Sequence, residues 1–298
     1  MERKKRQPDK ARNRNSEGER SRNPDSKSRT GGLRHESLRR REPKRAEAKH
    51  SPPRIEAKEN EPMRLNKYIA HCGISSRRQA ADFVKKGDVS VNGEVVKEPF
   101  YLVQPTDQVA FKGKPVQPEA NKVYVLMNKP KNFITTVTDE RGRKTVMELL
   151  RGKIEERIFP VGRLDRATTG LLLLTNDGDL AKKLSHPSHN VKKVYAVELD
   201  KPLTKLDLEK IRTGISLEDG VAQVDGIDYV KDGAKNELGI ELHIGKNRVV
   251  RRIFEHLGYE VVRLDRVYYA GLTKKDLPRG FFRHLTEKEV IMLRHFTK

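Results

Sequence analysis

Residues 162–178 read GRLDRATTGLLLLTNDG, and the interpretation of the whole chain depends on this stretch. It places one carboxylate, Asp165, between two glycines and beside Arg163, and four consecutive leucines follow. A short leucine run bounded by turn residues is typical of a buried strand. A carboxylate beside a guanidinium stays ionised at neutral pH, as a nucleophile or base requires. An Asp that only caps a turn or forms a structural ion pair would look the same, so spacing alone leaves both interpretations open.

Strands and helices alternate around this stretch across residues 122–298. Val250 and Phe254 recur at helical spacing, and residues 286–289 form a capping box that opens a last helix. Many strands with a few helices predict an α+β fold built on a mixed or antiparallel sheet. The predicted strands are 123–127, 171–174, 191–199, 239–244 and 259–264, and the predicted helices are 145–151, 179–184, 247–257 and 286–293.

A separate small domain is predicted in residues 61–111. Ser75 and Ser76 can cap the second of two short helices, and Gly87 ends it. Asn92-Gly93 is a strong hairpin turn signal between alternating residues. Two helices and a hairpin of this size are marginal alone and workable beside a larger domain. Residues 112–121, which contain two prolines, are predicted to be a linker to the domain at 122–298.

The first 60 residues differ in composition from the rest of the chain. They contain 20 Lys and Arg, 10 Asp and Glu, and eight hydrophobic residues, none of them aromatic. So little apolar surface does not offset the entropy of ordering, and residues 1–60 are predicted to be a disordered basic tail. An arm that gathers RNA and a solvated extension without a role both fit this composition.

Charge and cysteine content limit the function classes. The chain of 298 residues has a formal net charge of +21, which suits a polyanionic partner because neutralised phosphates release counterions. A single cysteine, Cys72, excludes an internal disulfide and a cysteine-based zinc cluster, and no histidine pair has metal-ligand spacing. No apolar run approaches the ~20 residues of a membrane span. We therefore expect a cytoplasmic protein with no membrane contact, no metal and no cofactor.

The small domain carries basic residues where RNA phosphates could bind. Arg77 and Arg78 fall in the first turn of its second helix, where unpaired backbone N–H groups attract anions. Arg64 and Lys67 add charge nearby. Cations at a helix N-terminus are unfavourable without an anionic partner. The order RLNKYIA, GISSRRQA and GDVSVNG resembles the αL RNA-binding domain of a small-ribosomal-subunit protein, and this resemblance implies that structured RNA is bound.

The stretch around Asp165 resembles the central motif of the RsuA/RluB-type ribosomal RNA pseudouridine synthases. The resemblance extends from Met63 to about Leu293. Two departures are Lys131-Asn132, where the family often has Gly, and Val249, where it usually has Gln. The other matching elements, in order, are NKP at 128–130, RGRKTV at 141–146, HPS at 186–188 with KVY at 193–195, and GKNRVVRR at 245–252.

This resemblance implies that a uridine is detached at its C1′–N1 bond, turned and rejoined through C5, with no redox step, cofactor or metal. Asp165 would be the essential carboxylate, either attacking C1′ or assisting a glycal intermediate. Tyr195 would stack on the extruded uracil, although a lone strand tyrosine is usually a core residue. Arg251 would pair with Asp165. Leu264 would form part of the pocket wall, which core packing explains equally well.

Three further arginines are candidates for RNA contacts: Arg163, Arg248 and Arg252. Solvated side chains are the alternative interpretation of each. The partner expected from the resemblance is ribosomal RNA or a pre-ribosomal particle, and the chain is expected to be a monomer. HPS at 186–188 and the stretch 217–220 resemble the enzymes of large-subunit RNA more than the small-subunit enzyme.

Two other function classes share features with this sequence. A noncatalytic ribosome assembly factor could keep the same scaffold, but a pure binder has no need of Asp165, Tyr195 and Arg251 together. A nucleotide-dependent enzyme is disfavoured, because five residues instead of four separate Gly239 and Gly245, and the intervening residues have a strand pattern.

Overall fold

The computed structural model describes residues 62–295. The predicted disordered tail, residues 1–60, lies outside this range. No helix within the described range has both the length and the apolar character that crossing a bilayer requires. The α+β prediction is confirmed: a small helical and stranded domain precedes a larger domain built on one sheet.

The small domain packs two helices on a four-stranded antiparallel sheet with the order β3-β2-β5-β6, and β1 pairs separately with β4. Its elements are β1 (Met63–Arg64), α1 (Leu65–His71), α2 (Arg77–Lys86), β2 (Val89–Val91), β3 (Glu94–Val95), β4 (Leu102–Val103), β5 (Val109–Phe111) and β6 (Lys114–Pro115).

Local sequence signals explain the small domain. Ser76 caps α2 by accepting a hydrogen bond from the Gln79 backbone, and the Gln79 side chain accepts one from the Ser76 backbone. Of the two serines predicted as caps, Ser76 is the cap. Gly87 ends α2 at φ 83°, a left-handed conformation that side chains disfavour. Asn92 also adopts a positive φ in the turn between β2 and β3, as the predicted hairpin requires.

The predicted linker, residues 112–121, begins later in the structure. Lys114 and Pro115 pair with β5, and Val116 packs against the core of the small domain. A proline is tolerated there because β6 is an edge strand that needs no further ladder donor. The connection therefore starts after Val116.

The larger domain contains a nine-stranded sheet whose main order is β13-β14-β10-β15-β9-β7-β17. A separate pair, β11 and β12, lies outside this sheet. Its strands are β7 (Tyr124–Lys129), β8 (Phe159–Pro160), β9 (Thr169–Thr175), β10 (Lys193–Leu199), β11 (Ile215–Leu217), β12 (Gly220–Ala222), β13 (Gly226–Tyr229), β14 (Glu237–Leu242), β15 (Val261–Tyr269), β16 (Leu272–Thr273) and β17 (Phe282–His284). Its helices are α3 (Gly178–Ser185), α4 (Lys205–Thr213), α5 (Val249–His256) and α6 (Glu287–His295), with 3₁₀ turns at Val146–Leu149 and Pro187–His189.

Strand β9 occupies the middle of this sheet. It pairs in parallel with β15 and antiparallel with β7 and β8, so the predicted mixed sheet is confirmed. Leu171 and Leu173 pack toward α3 and α6, whereas Leu172 and Leu174 pack against Leu164 and the segment that follows β7. All four leucines are fully buried because both sheet faces are covered. Burial of each contributes about 2 kcal/mol to folding.

Several predicted elements differ in extent. The helix predicted at 145–151 is a single 3₁₀ turn, Val146–Leu149, because Thr145 and Glu148 close a capping box around it and Gly152 turns left-handed at φ 70°. Strand β15 runs five residues beyond the predicted end, to Tyr269. Helix α4 was not predicted, although Thr204 caps it through the Asp207 backbone.

Candidate active site

Asp165 lies in the loop that joins β8 to β9. The backbone N–H of Thr168 donates 3.0 Å to the carbonyl oxygen of Asp165, so residues 165–168 form a β-turn that begins at the carboxylate. Just before it, Thr135 holds Leu164 on both sides: its Oγ1 donates to the Leu164 carbonyl at 2.8 Å and accepts from the Leu164 N–H at 3.2 Å. The turn is therefore fixed at its first residue and at its last.

The ammonium group of Lys129, at the end of β7, lies beneath this turn. Its Nζ donates to the carbonyl oxygens of Thr168 at 2.7 Å, Asp165 at 3.1 Å and Pro130 at 3.1 Å. The Lys129 residue is fully buried. Burial lowers the pKa of Lys129 to about 8, against the attraction of the Asp165 charge and with help from Arg279. Three carbonyl oxygens around one ammonium match its three donors.

Gly170 brings the other end of the loop close to β15. A Cβ at this position would lie 2.3 Å from the carbonyl oxygen and 2.5 Å from the nitrogen of Arg266, and 2.5 Å from Asp265 Oδ1. Its φ of +105° also disfavours any side chain. Gly170 therefore allows the backbone of β9 to approach that of β15 directly beside the turn that carries Asp165.

The carboxylate of Asp165 faces an open cleft. Its side chain is 38% exposed, and its Oδ2 lies 4.0 Å from a guanidinium nitrogen of Arg248. The cleft has a volume of about 560 Å³, enough for a nucleoside. The charged and amide side chains that line it together with Asp165 are Arg141, Arg143, Arg163, Arg166, Asn247, Asp139 and Glu140. Asp139 forms an ion pair with Arg143.

Arg251, expected to pair with Asp165, does not form an ion pair with it and interacts with it only over a longer distance. Within residues 62–295, Arg248 reaches ion-pair distance and Arg251 does not. Arg251 is 9% exposed, and its Nη1 donates a hydrogen bond to the Val261 carbonyl at 2.7 Å. This hydrogen bond joins α5 to β15. Burial and Arg248 lower the pKa of Arg251, while the charge of Asp165 raises it, so the two groups interact electrostatically. Its Nε has no partner among the described residues.

Tyr195 lies on β10 and is half-buried between two core clusters, one of which includes Leu164. The ring therefore packs against the cluster that contains the residue before Asp165. Leu264 is a core residue: it is 6% exposed and pairs across the sheet with Val197. The burial of Leu264 fits the core-packing interpretation, and its place in a pocket wall stays a prediction.

Five of the seven candidate RNA-contact residues are exposed arginines, and the other two, Lys67 and Arg252, are partly buried. Arg64, Arg77, Arg78, Arg163 and Arg248 are exposed.

Lys67 and Arg252 have carboxylate partners within the protein. Lys67 Nζ lies 2.8 Å from Asp179, which ties α1 of the small domain to α3 of the larger one. Arg252 forms a two-pronged ion pair with Asp219 at 2.9 and 3.0 Å. Arg248 also has carboxylate neighbours, Glu255 at 3.1 Å and Asp165 at 4.0 Å, although it is more exposed than Lys67 and Arg252. The charges of these three residues are partly neutralised, so they are weaker candidates for phosphate contacts than the other exposed arginines.

Sequence interpretation missed several residues of the site. Lys129, Arg141, Arg166 and Asn247 fall within the family-like motifs but carry no predicted role, and Thr135 falls in none of these motifs. A lysine that ends an otherwise apolar strand was a usable signal, because a buried lysine requires acceptors for its charge. The contribution of Thr135 arises only from the folded backbone, and its neighbours in the sequence do not indicate it.

Family profiles match each of the two domains of this chain. The RNA pseudouridylate synthase family profile matches residues 123–256, and the S4 domain profile matches residues 63–109. A Bacillus subtilis protein named ribosomal large subunit pseudouridine synthase B is 42% identical over 234 residues, which is 78% of this chain and 95% of the relative. The Escherichia coli dual-specificity RNA pseudouridine synthase RluF is 34% identical over 235 residues, 78% of each chain.

A solved structure supports the fold as well. A crystal structure described as a pseudouridylate synthase superposes with a TM-score of 0.54 at 26% identity, covering 78% of this chain and 99% of the other. Together with the relatives, it covers both the small domain and the sheet domain. The chain is a member of the RNA pseudouridylate synthase family with an N-terminal S4 domain.

Proposed function

We propose that this pseudouridine synthase isomerises one uridine of large-subunit ribosomal RNA and that Asp165 is its essential carboxylate. The observation that carries the proposal is the position of Asp165: a rigid turn holds it, and its carboxylate faces an open cleft lined by arginines. The names of the relatives support the substrate class. We propose that the reaction takes place in the cytoplasm and that the chain acts as a monomer.

The chemistry assigned to Asp165 starts with an ionised carboxylate near the sugar of an extruded uridine. Cleavage of the C1′–N1 bond leaves positive charge at C1′, which a carboxylate stabilises either by bonding to it or by assisting proton loss to a glycal. The freed uracil turns and rejoins through C5, and the C5 proton is released. The rigid turn keeps the carboxylate in place while the base moves.

Tyr195 and Arg251 complete the proposed catalytic group. The half-buried Tyr195 ring, packed against the core cluster that includes Leu164, is the surface on which the flipped uracil stacks. The buried Arg251 keeps a positive charge near Asp165, and the two side chains interact electrostatically. Arg248 is exposed and shared between Asp165 and Glu255, which suits a cation that binds a phosphate of the target nucleotide.

We propose that the RNA is held by two further surfaces. Arg163 lies on the wall of the cleft and would contact the strand that enters it. Arg77 and Arg78 are exposed in the first turn of α2, where phosphates meet both guanidinium groups and backbone N–H groups. We propose domain limits of 62–116 for the RNA-binding domain and 122–298 for the catalytic domain.

The proposal is tested by mapping pseudouridine in ribosomal RNA from cells that lack this protein, with carbodiimide-blocked primer extension. We expect one large-subunit position to be lost, and to return with the wild-type chain but not with Asp165→Asn. An Asp165→Asn variant that restores the modification would remove Asp165 from the chemistry. A full map without the protein would favour a noncatalytic binder, and a lost site in another RNA would correct the substrate.

A further inference from the structure

The small domain exposes three consecutive apolar side chains where the chain enters β4. Phe100, Tyr101 and Leu102 are 58%, 38% and 54% exposed, and none of them belongs to the core of that domain. Single exposed apolar residues are ordinary on protein surfaces. A run of three that includes two aromatic rings indicates an interaction surface.

The backbone that presents these rings is held firmly. The N–H of Tyr101 donates 3.1 Å to the Glu98 carbonyl and closes a turn with Phe100 in its third position. The same turn supplies acceptors to the start of α1: Leu65 N–H donates to Tyr101 at 2.8 Å, and Asn66 N–H donates to Pro99 at 3.1 Å. The first N–H groups of a helix lack partners within the helix, so these bonds fix the turn to α1.

Arg64 covers one face of this surface. Its guanidinium carbon lies 5.2 Å from the centre of the Phe100 ring, within the range of a cation–π contact. Arg64 also pairs with Leu102 across β1 and β4. Within residues 62–295, no carboxylate forms an ion pair with Arg64. The surface therefore combines a planar cation and an aromatic ring with charge left for a phosphate.

We propose that Arg64, Phe100 and Tyr101 form a platform on which an unpaired base of the RNA substrate stacks, outside the cleft of Asp165. Bases of single-stranded RNA stack on aromatic rings and on guanidinium planes with little regard to sequence. The neighbouring Arg64 charge favours a nucleotide over an apolar protein segment, because it complements the phosphate. The inference rests on the proposed function only in that the partner is RNA.

The test uses a single-stranded RNA oligonucleotide with 2-aminopurine at one position, and a fully paired RNA hairpin as the second probe. Phe100→Ala should bind the single strand roughly tenfold more weakly than wild type and should lose the quenching of 2-aminopurine. Binding of the paired hairpin should change less than twofold. Equal quenching and equal affinity in wild type and Phe100→Ala would overturn the platform.

Two replacements of Phe100 separate stacking from simple apolar contact. Phe100→Tyr keeps a planar ring and should keep wild-type affinity and quenching. Phe100→Leu keeps apolar surface without a ring and should behave like Phe100→Ala. Wild-type binding by Phe100→Leu would contradict stacking. Because the side chain is exposed, circular dichroism should show an unchanged fold in all three variants.

The salt dependence of RNA binding distinguishes the contribution of the Phe100 ring from that of the Arg64 charge. Phe100→Ala removes no charge, so its binding should keep the wild-type dependence on salt concentration, whereas Arg64→Met should lower the slope by about one. Sedimentation should show wild type and Phe100→Ala with the same mass; a dimer lost in Phe100→Ala would replace the RNA base with a second copy of the chain. Asp165→Asn should keep the wild-type quenching and affinity for the single strand, so failure of the platform is distinguishable from failure of the proposed reaction.

Discussion

The ammonium nitrogen of Lys129 lies 3.1 Å from the carbonyl oxygen of Asp165. This hydrogen bond joins a fully buried lysine to the backbone of the residue whose side chain faces the cleft. The same nitrogen binds Thr168, the last residue of the turn. Lys129 thereby fixes the direction of the Asp165 carboxylate without contacting the carboxylate itself, and it has the geometry of a positioning residue.

Replacing Lys129 by Met is expected to lower the free energy of unfolding by about 3 kcal/mol, because the carbonyl groups of Pro130, Asp165 and Thr168 lose a donor. The turnover of saturating RNA should fall roughly 100-fold, since the carboxylate is less well placed. Urea denaturation and single-turnover assays measure the two effects. Lys131→Met removes an exposed lysine nearby and should change neither quantity; equal losses in both variants would contradict the positioning role.

Gly170→Ala is expected to destabilise the protein by about 4 kcal/mol or to prevent folding, since its Cβ would overlap the Arg266 backbone. Gly162→Ala is the matched control. It also has a positive φ, +71°, but open space surrounds its Cβ, so its cost should be about 1 kcal/mol. Thermal and urea unfolding compare them. Similar losses for both glycines would show that backbone conformation, and not the approach of β15, determines the requirement at position 170.

The order of the two domains and the central strand were predictable from the sequence, because each has a local signal. Asp165 was singled out by the resemblance, since its spacing alone left both interpretations open, and its role stays a prediction. Leu171–Leu174 showed the buried strand, and Asn92-Gly93 showed the hairpin. The pairing of Asp165 was not predictable, because whether Arg248 or Arg251 approaches depends on how α5 sits on the sheet. Arg248 adopts a left-handed φ of 47° just before α5, which a helical pattern starting at Asn247 does not indicate.

The ion pairs of Asp265 should make stability depend on pH below 4. Burial raises the pKa of Asp265, but hydrogen bonds and charges of Arg279 and Lys274 outweigh it and hold the pKa at about 2. The native pKa is below the unfolded value, so this stabilisation is complete above about pH 4 and is lost as the pH falls through about 2.

Comparison with Asp265→Asn isolates this contribution. The wild-type chain should exceed the variant in stability by about 2 kcal/mol at pH 5, and the difference should shrink steadily toward pH 2.5. Urea midpoints across this pH range provide the measurement. A difference that stays constant from pH 5 to pH 2.5 would contradict the assigned pKa.

Variants of Arg251 and Arg248 should affect different properties: Arg251 the turnover of bound RNA, and Arg248 the binding of RNA. Arg251→Met removes a buried cation and its bond to Val261, so turnover of bound RNA and stability should fall, the latter by about 2 kcal/mol. Arg248→Met changes an exposed residue and should weaken RNA binding, with a salt slope lower by about one and stability within about 0.5 kcal/mol of wild type. The reverse pattern would assign Arg248 as the catalytic cation.

Release of tritium from RNA labelled at uridine C5 tests the central claim most directly, since the C5 proton leaves only when the uracil has been rejoined. With RNA bound and enzyme in excess, the wild-type chain should release tritium from one site, and Asp165→Asn should release it at least about 10³-fold more slowly. The affinity of the two proteins for RNA should agree within about twofold. Release by Asp165→Asn within tenfold of the wild-type rate would contradict the role of Asp165 as the essential carboxylate.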